Sequence, residues 1–251
     1  MKKAFFMLSL MVLFLANSAQ ATVVEFEGRY WMPDLDANAK VQENGVGTDI
    51  DVKSDLGFED ENFPEGRFIW NMNQKNKFQF SYLRFEYDGD KTITRQIEYN
   101  GRTYTAGSRV VSSLDVQYLR LGWNRQLLTF ADDKLKFGFM LDVKGIIADM
   151  SLNASSLGFN ESQKFAGGLP TVGLSLGANP HQKFNFFAEI SGIPAGRYGH
   201  FFDAEGGIKF IPFKNLSLMA GYRVVDLKVE YSDNSADLQL TGPFFGGALR
   251  F

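Results

Sequence analysis

Phe202-Asp203-Ala204-Glu205-Gly206-Gly207-Ile208-Lys209-Phe210 puts Phe202, Ala204, Gly206, Ile208 and Phe210 on one face of an extended chain and Asp203, Glu205 and Lys209 on the other. Side chains alternate along a β-strand with period two, so this stretch reads as a strand with one apolar and one charged face. The residues that follow repeat the scheme, with Leu216, Leu218, Ala220 and Tyr222 opposed to Ser217 and Arg223.

Working outward, Phe184, Phe186, Ala188 and Ile190 oppose Asn185, Glu189 and Ser191, and Phe137, Phe139, Leu141 and Val143 oppose Gly138, Asp142 and Lys144. At the other end of the chain, Val24, Phe26, Gly28 and Tyr30 oppose Glu25, Glu27 and Arg29. Each segment has the roughly 9 to 11 residues that a tilted membrane-crossing strand needs. Two segments, Phe78 to Tyr87 and Leu114 to Trp123, change apolar phase at Tyr82/Leu83 and Tyr118/Leu119, as a bulge or an exit from a bilayer would cause.

The connections alternate in length. Tight turns are expected at Gln74-Lys75-Asn76, Ala131-Asp132-Asp133, Asn179-Pro180-His181 and Phe213-Lys214-Asn215. Longer connections are expected at Pro33 to Glu65, Asp88 to Ser112, Asp149 to Gln163, Pro194 to His200 and Glu230 to Asp237. In the second of these, Asn100-Gly101 marks a type I′ hairpin, because both positions take positive φ. Four turns and five long connections imply about ten strands, with 8 or 12 as the alternatives. Short turns on one side and long loops on the other fit a closed antiparallel transmembrane β-barrel with periplasmic turns and extracellular loops.

The amino terminus supports export. Lys2 and Lys3 precede an apolar run from Ala4 to Leu15, followed by small residues ending at Ala19-Gln20-Ala21. That is the pattern of a cleaved signal peptide over residues 1–21, too short for a spanning helix, with residues 22–251 as one barrel domain. The 251-residue chain has 26 basic side chains; without Lys2 and Lys3, 24 remain against 29 acidic ones, so no nucleic-acid partner is indicated. With no cysteine, no disulfide framework holds the fold.

Periodicity alone leaves open whether the apolar face looks outward, as in a membrane barrel, or inward, as in a soluble one. Charges on nearly every polar face and aromatics near strand ends favour the membrane barrel. They give a lumen lined by Glu25, Glu27, Arg29, Arg67, Asp142, Lys144, Glu189, Asp203, Glu205, Lys209, Arg223 and Arg250. The chain ends with Phe245, Gly247, Leu249 and Phe251 alternating against Phe244, Gly246, Ala248 and Arg250.

That ending resembles the terminal strand of bacterial outer-membrane proteins. The resemblance implies that Phe245, Leu249 and Phe251 form the signal read by the barrel-assembly machinery. Thr48 to Val52, Asp55 to Glu61 and Tyr99 to Tyr104 likewise resemble segments of small proteobacterial outer-membrane barrels. This resemblance implies a place in the Gram-negative outer membrane among its lipids, lipopolysaccharide included, and carries no named activity.

Little points to chemistry. Of the two histidines, His181 falls in a periplasmic turn, leaving His200, with Arg197, Tyr198 and Asp203 nearby in sequence. Omptin proteases and lipid A deacylases place a histidine with a carboxylate or serine at the outer rim, but neither an Asp-His pair nor a His-x-Ser motif is legible here. Asp49, Asp51, Asp55, Glu59, Asp60 and Glu61 make the first long connection acidic without the spacing of a calcium-binding loop, so it reads as a solvated segment with a divalent site as the alternative. No metal or cofactor is expected. Three functions remain: a filled barrel with a structural or surface-interaction role, a narrow pore for small solutes, and an outer-rim hydrolase using His200.

Overall fold

The computed structural model describes residues 23–40, 42, 47–99, 101–132, 134–231 and 234–251. The expected signal peptide, and Asn100 and Asp133 of two expected turns, lie outside the described residues. The strands are β1 (Val23–Trp31), β2 (Asp34–Lys40), β3 (Asp49–Asp51), β4 (Phe63–Asn71), β5 (Asn76–Thr92), β6 (Ile97–Tyr99) and β7 (Arg102–Tyr104). They continue with β8 (Arg109–Phe130), β9 (Leu135–Ala154), β10 (Phe159–His181), β11 (Phe184–Pro194), β12 (Gly199–Phe213), β13 (Leu216–Tyr231) and β14 (Asn234–Arg250).

Ten of them, in the order β1-β4-β5-β8-β9-β10-β11-β12-β13-β14, form an antiparallel wall that closes where β14 pairs with β1. Phe251 completes the seam, its N–H donating to the Val24 carbonyl at 2.9 Å and its carbonyl accepting from Val24 at 3.1 Å. β2 prolongs β1 along the same partner: Trp31 faces Phe244 and Asp34 faces Thr241 in one register. The strand is interrupted at Met32-Pro33, where proline has no N–H to give.

The period-two pattern decides which face is which. On β9, Asp142 and Lys144 are 3% and 0% exposed, whereas Leu141 and Val143 between them are 42% and 54% exposed. Phe26, Phe80, Leu121, Leu174, Phe186 and Leu218 look outward in the same way from six other strands. An apolar outer belt around a charged interior is the reverse of a soluble barrel and fits a hydrocarbon surrounding.

Several strands outrun the bilayer. β8, β9 and β10 have 22, 20 and 23 residues, so the wall continues upward past the belt. The connection expected from Asp149 to Gln163 shrinks to a 3₁₀ turn at Ser155–Leu157 and Gly158, because Leu152 and Ala154 still have an apolar interior to pack against. The turn expected at Asn179-Pro180-His181 lies instead at Gln182 and Lys183, with a register shift between Ala178 and His181.

The phase change in β5 is not a bulge but goes with the strand's exit from the bilayer: past Tyr82 the outward positions carry the exposed charges Arg84 and Glu86, which pair with each other and with Asp115 of β8. Its pairing with β8 runs unbroken from Asn76 to Thr92. Leu83, Phe85 and Tyr87 are 0%, 6% and 3% exposed because the upper lumen is itself apolar. Trp31, Phe63, Phe85 and Tyr87 interlock there, with Phe63 edge-on to both Phe85 at 5.0 Å and Tyr87 at 5.2 Å. Such edge-to-face contacts add to the area the rings bury.

The first long connection covers this plug instead of standing in solvent. Ile50, Val52, Leu56 and Phe58 are buried in it. A Cβ on Gly89 would come 2.3 Å from the Leu56 carbonyl oxygen, so glycine is what lets the connection lie against β5. The β6–β7 hairpin, turning at Gly101 with φ of 70°, closes the top with Ile97, Tyr99 and Tyr104.

Candidate functional site: the charged lumen and the outer wall

Below the plug, inward charges from most of the wall strands meet at one level. Glu205 of β12 lies between two guanidiniums: Arg67 of β4 binds both its oxygens, at 2.6 and 2.8 Å, and Arg29 of β1 reaches it at 3.1 Å. Arg29 is also held by Glu27 at 2.8 Å and Arg67 by Glu65 at 2.9 Å. Arg223 grips Asp203 through Nε at 3.0 Å and Nη2 at 2.9 Å, and extends to Glu65 at 3.3 Å. Asp203 further accepts from Lys144 at 3.1 Å and from the Tyr118 hydroxyl at 2.8 Å.

Two smaller groups flank this core. Arg120 bridges Asp142 at 3.1 Å and Glu189 at 3.3 Å, with Lys77 on Glu189 at 3.1 Å. Nearer the short turns, Lys209 binds Glu25 at 2.7 Å and also Glu27, and Arg250 binds Glu25 at 3.0 Å. Each charge has an opposite partner within reach, the condition under which burying it is tolerable. Arg223 stacks over Trp31 at 4.9 Å and Arg29 over Phe244 at 4.7 Å, so the charged layer and the apolar plug share a boundary.

All twelve charges expected to line the lumen take part. Glu65, Lys77, Arg120 and Tyr118 also belong, beyond the twelve positions expected to line the lumen. Glu65 falls at the end of the expected first long connection, yet Phe63, Glu65, Arg67 and Ile69 alternate along β4. Lys77, Arg120 and Tyr118 sit in β5 and β8, whose apolar phase is altered by the plug. Phe245, Leu249 and Phe251 point outward, 52%, 51% and 68% exposed.

The acidic first connection is folded by its carboxylates. Asp51 accepts from the backbone N–H groups of Lys53 and Ser54 at 2.9 and 2.8 Å, and Asp60 from Leu35 N–H at 2.7 Å and Lys53 at 2.6 Å. Asp55 is paired with Arg95, whose hydrogen bond holds its carboxyl below the ordinary value of 3.8. Among the described residues no cluster of His, Asp and Glu is gathered to hold a metal ion.

The structure also supplies a partner that the sequence near His200 did not reveal. His200 Nε2 lies 2.8 Å from Asp226 Oδ1, a residue of the neighbouring strand β13. Phe201, Asp203 and Glu205 face inward, so His200 faces outward, its ring 5.3 Å from that of Phe202. The pair therefore sits on the outer face of the wall.

The chain's course is similar to that of outer membrane protease OmpT from Escherichia coli, with a TM-score of 0.63 over 93% of this chain and 98% of that one, at 10% identity. The fold is that of an outer-membrane β-barrel. This barrel also overlaps the translocator domain of the autotransporter NalP from Neisseria meningitidis (TM-score 0.49, 11% identity, 100% and 96% of the two chains). A third overlap is with Ail, the attachment invasion locus protein of Yersinia pestis (TM-score 0.40, 10% identity, 92% and 99%). No protein-family model and no curated sequence matches the chain. At such identities the likeness concerns fold alone.

Proposed function

We propose that this outer-membrane barrel is closed to solutes and acts through its folded outer cap and upper wall, in a structural or surface-interaction role. The observation that carries this reading is Glu205, clamped between Arg29 and Arg67 in mid-lumen beneath an apolar plug. About 8 strands give an interior just filled by side chains and 16 to 18 leave an aqueous channel, so ten long-side-chained strands belong near the filled end. Outer-membrane lipids, lipopolysaccharide among them, are its surroundings, and the barrel-assembly machinery acts on its terminal strand.

Liposome swelling tests this reading: vesicles carrying the protein should swell in small sugars no faster than empty ones, and swelling that rises with protein content would overturn it. A hydrolase reading has one observation in its favour, the His200–Asp226 hydrogen bond. It requires hydrolysis of an outer-leaflet substrate that His200→Ala abolishes without altering folding.

A further inference from the structure

Below the charged layer the lumen opens into a cavity of about 340 Å³ on the side of the short turns, which is the periplasmic side in outer-membrane barrels. Its wall differs from the layer above. Asn71, Asn124, Ser175, Asn185 and Ser217, from five different strands, supply amides and hydroxyls. The Asn124 amide donates to Ser175 at 2.9 Å, a polar pair on the cavity wall. Gln79, cross-strand from the lining residue Ile69, keeps a buried amide nitrogen with no hydrogen bond.

The charges are unbalanced. The three lining carboxylates are each taken up by two cations: Glu25 by Lys209 and Arg250, Glu27 by Arg29 and Lys209, Glu189 by Lys77 and Arg120. Lys75, Lys136 and Lys214 also line the cavity and have no carboxylate partner among the described residues. Lys136 is the inward member of this group, half-buried on β9 in the same alternation as Asp142 and Lys144. Surplus positive charge in a concave, low-dielectric wall concentrates anions, and a ring of amides and hydroxyls matches a ligand rich in hydroxyl groups.

We propose that this periplasmic vestibule binds a small polyhydroxylated anion, one or two sugar rings carrying a carboxylate or a phosphate, with Lys136 as the principal charge contact. A carboxylated sugar and a sugar phosphate share this chemistry, and the two must be separated by experiment. The site is independent of whether the lumen conducts.

Calorimetry on the whole purified barrel in lipid nanodiscs, with N-acetylmuramic acid, N-acetylglucosamine 1-phosphate and neutral N-acetylglucosamine as probes, tests it. Both anions should bind, the tighter one naming the source, and the neutral sugar should bind at least about tenfold more weakly. Lys136→Gln should weaken the anions by about tenfold or more and leave the neutral sugar unchanged. Should that variant not fold, Lys214→Gln, in an exposed turn, should give a smaller loss in the same direction. Equal binding of the neutral sugar, no binding of either anion at about 10 mM, or anion affinity unmoved in a folded variant would overturn the proposal.

Discussion

Arg67 and Glu205, 138 residues apart in sequence, meet face to face across the lumen through two parallel hydrogen bonds of 2.6 and 2.8 Å. Fork-to-fork geometry of this kind is the strong form of an ion pair, and both side chains are almost fully buried. The contact ties β4 to β12 through the interior, so it braces the closed wall from inside.

Replacing Glu205 by Ala leaves Arg29 and Arg67 with only Glu27 and Glu65. Losing one partner of a buried pair costs about 3–5 kcal/mol. Urea titration read by the heat-modifiable shift in gel mobility should show a midpoint well below the wild type, and an unchanged midpoint would show that the brace contributes nothing.

Phe63→Ala should open a void between Phe85 and Tyr87. A buried Phe-to-Ala change costs about 3–5 kcal/mol. Its effect should concentrate in the upper lumen, seen as faster amide exchange in β5 from Leu83 to Tyr87 while Asp142 and Lys144 stay protected.

The cap should loosen in acid. Asp55 has a carboxyl held below 3.8 by the Arg95 hydrogen bond. Its folded value lies beneath its unfolded one, so its stabilising contribution is present above about pH 4 and fades as pH falls through the folded value. Proteolysis between residues 47 and 62 should rise below that point, and Asp55→Asn should weaken the pH dependence, leaving the share that Asp60 contributes. Identical cleavage profiles for the two proteins would contradict this.

The same carboxylates are occupied locally, so calcium should bind the first connection weakly. Calorimetry showing micromolar binding that vanishes in the Asp49→Ala, Asp51→Ala, Asp60→Ala variant would contradict that expectation.

Deleting Phe251 removes both seam hydrogen bonds with Val24 and the outward ring, whereas Phe251→Ala removes the ring alone. Both should lower folded protein in the membrane, the deletion more. Equal and undiminished folded yields would argue against a role for this terminus in assembly.

Much of the wall was legible because its chemistry repeats every second residue. Phe202 to Phe210 and Phe137 to Lys144 gave their inward charges directly, since a bilayer outside and a charged lumen inside impose opposite demands on successive positions. The upper lumen was not legible. Leu83, Phe85 and Tyr87 are apolar and inward in a strand whose lower half is apolar and outward, and alternation cannot tell such an exchange from a bulge. The His200–Asp226 pair was hidden for another reason: it is made by strand register, and 26 residues of sequence separate its members. The cap reads as solvated from sequence because its acids are conspicuous, while Ile50, Leu56 and Phe58, which bury it, are scattered among them.

The central claim, a lumen closed by the charged layer and its apolar plug, is tested most directly by conductance in a planar bilayer. The wild-type protein should give no stable steps, while a variant lacking residues 47–62, whose Ile50, Val52, Leu56 and Phe58 cover the plug, should give small, flickering ones. Large, stable conductance steps from the wild type, abolished when the lumen is blocked, would contradict it.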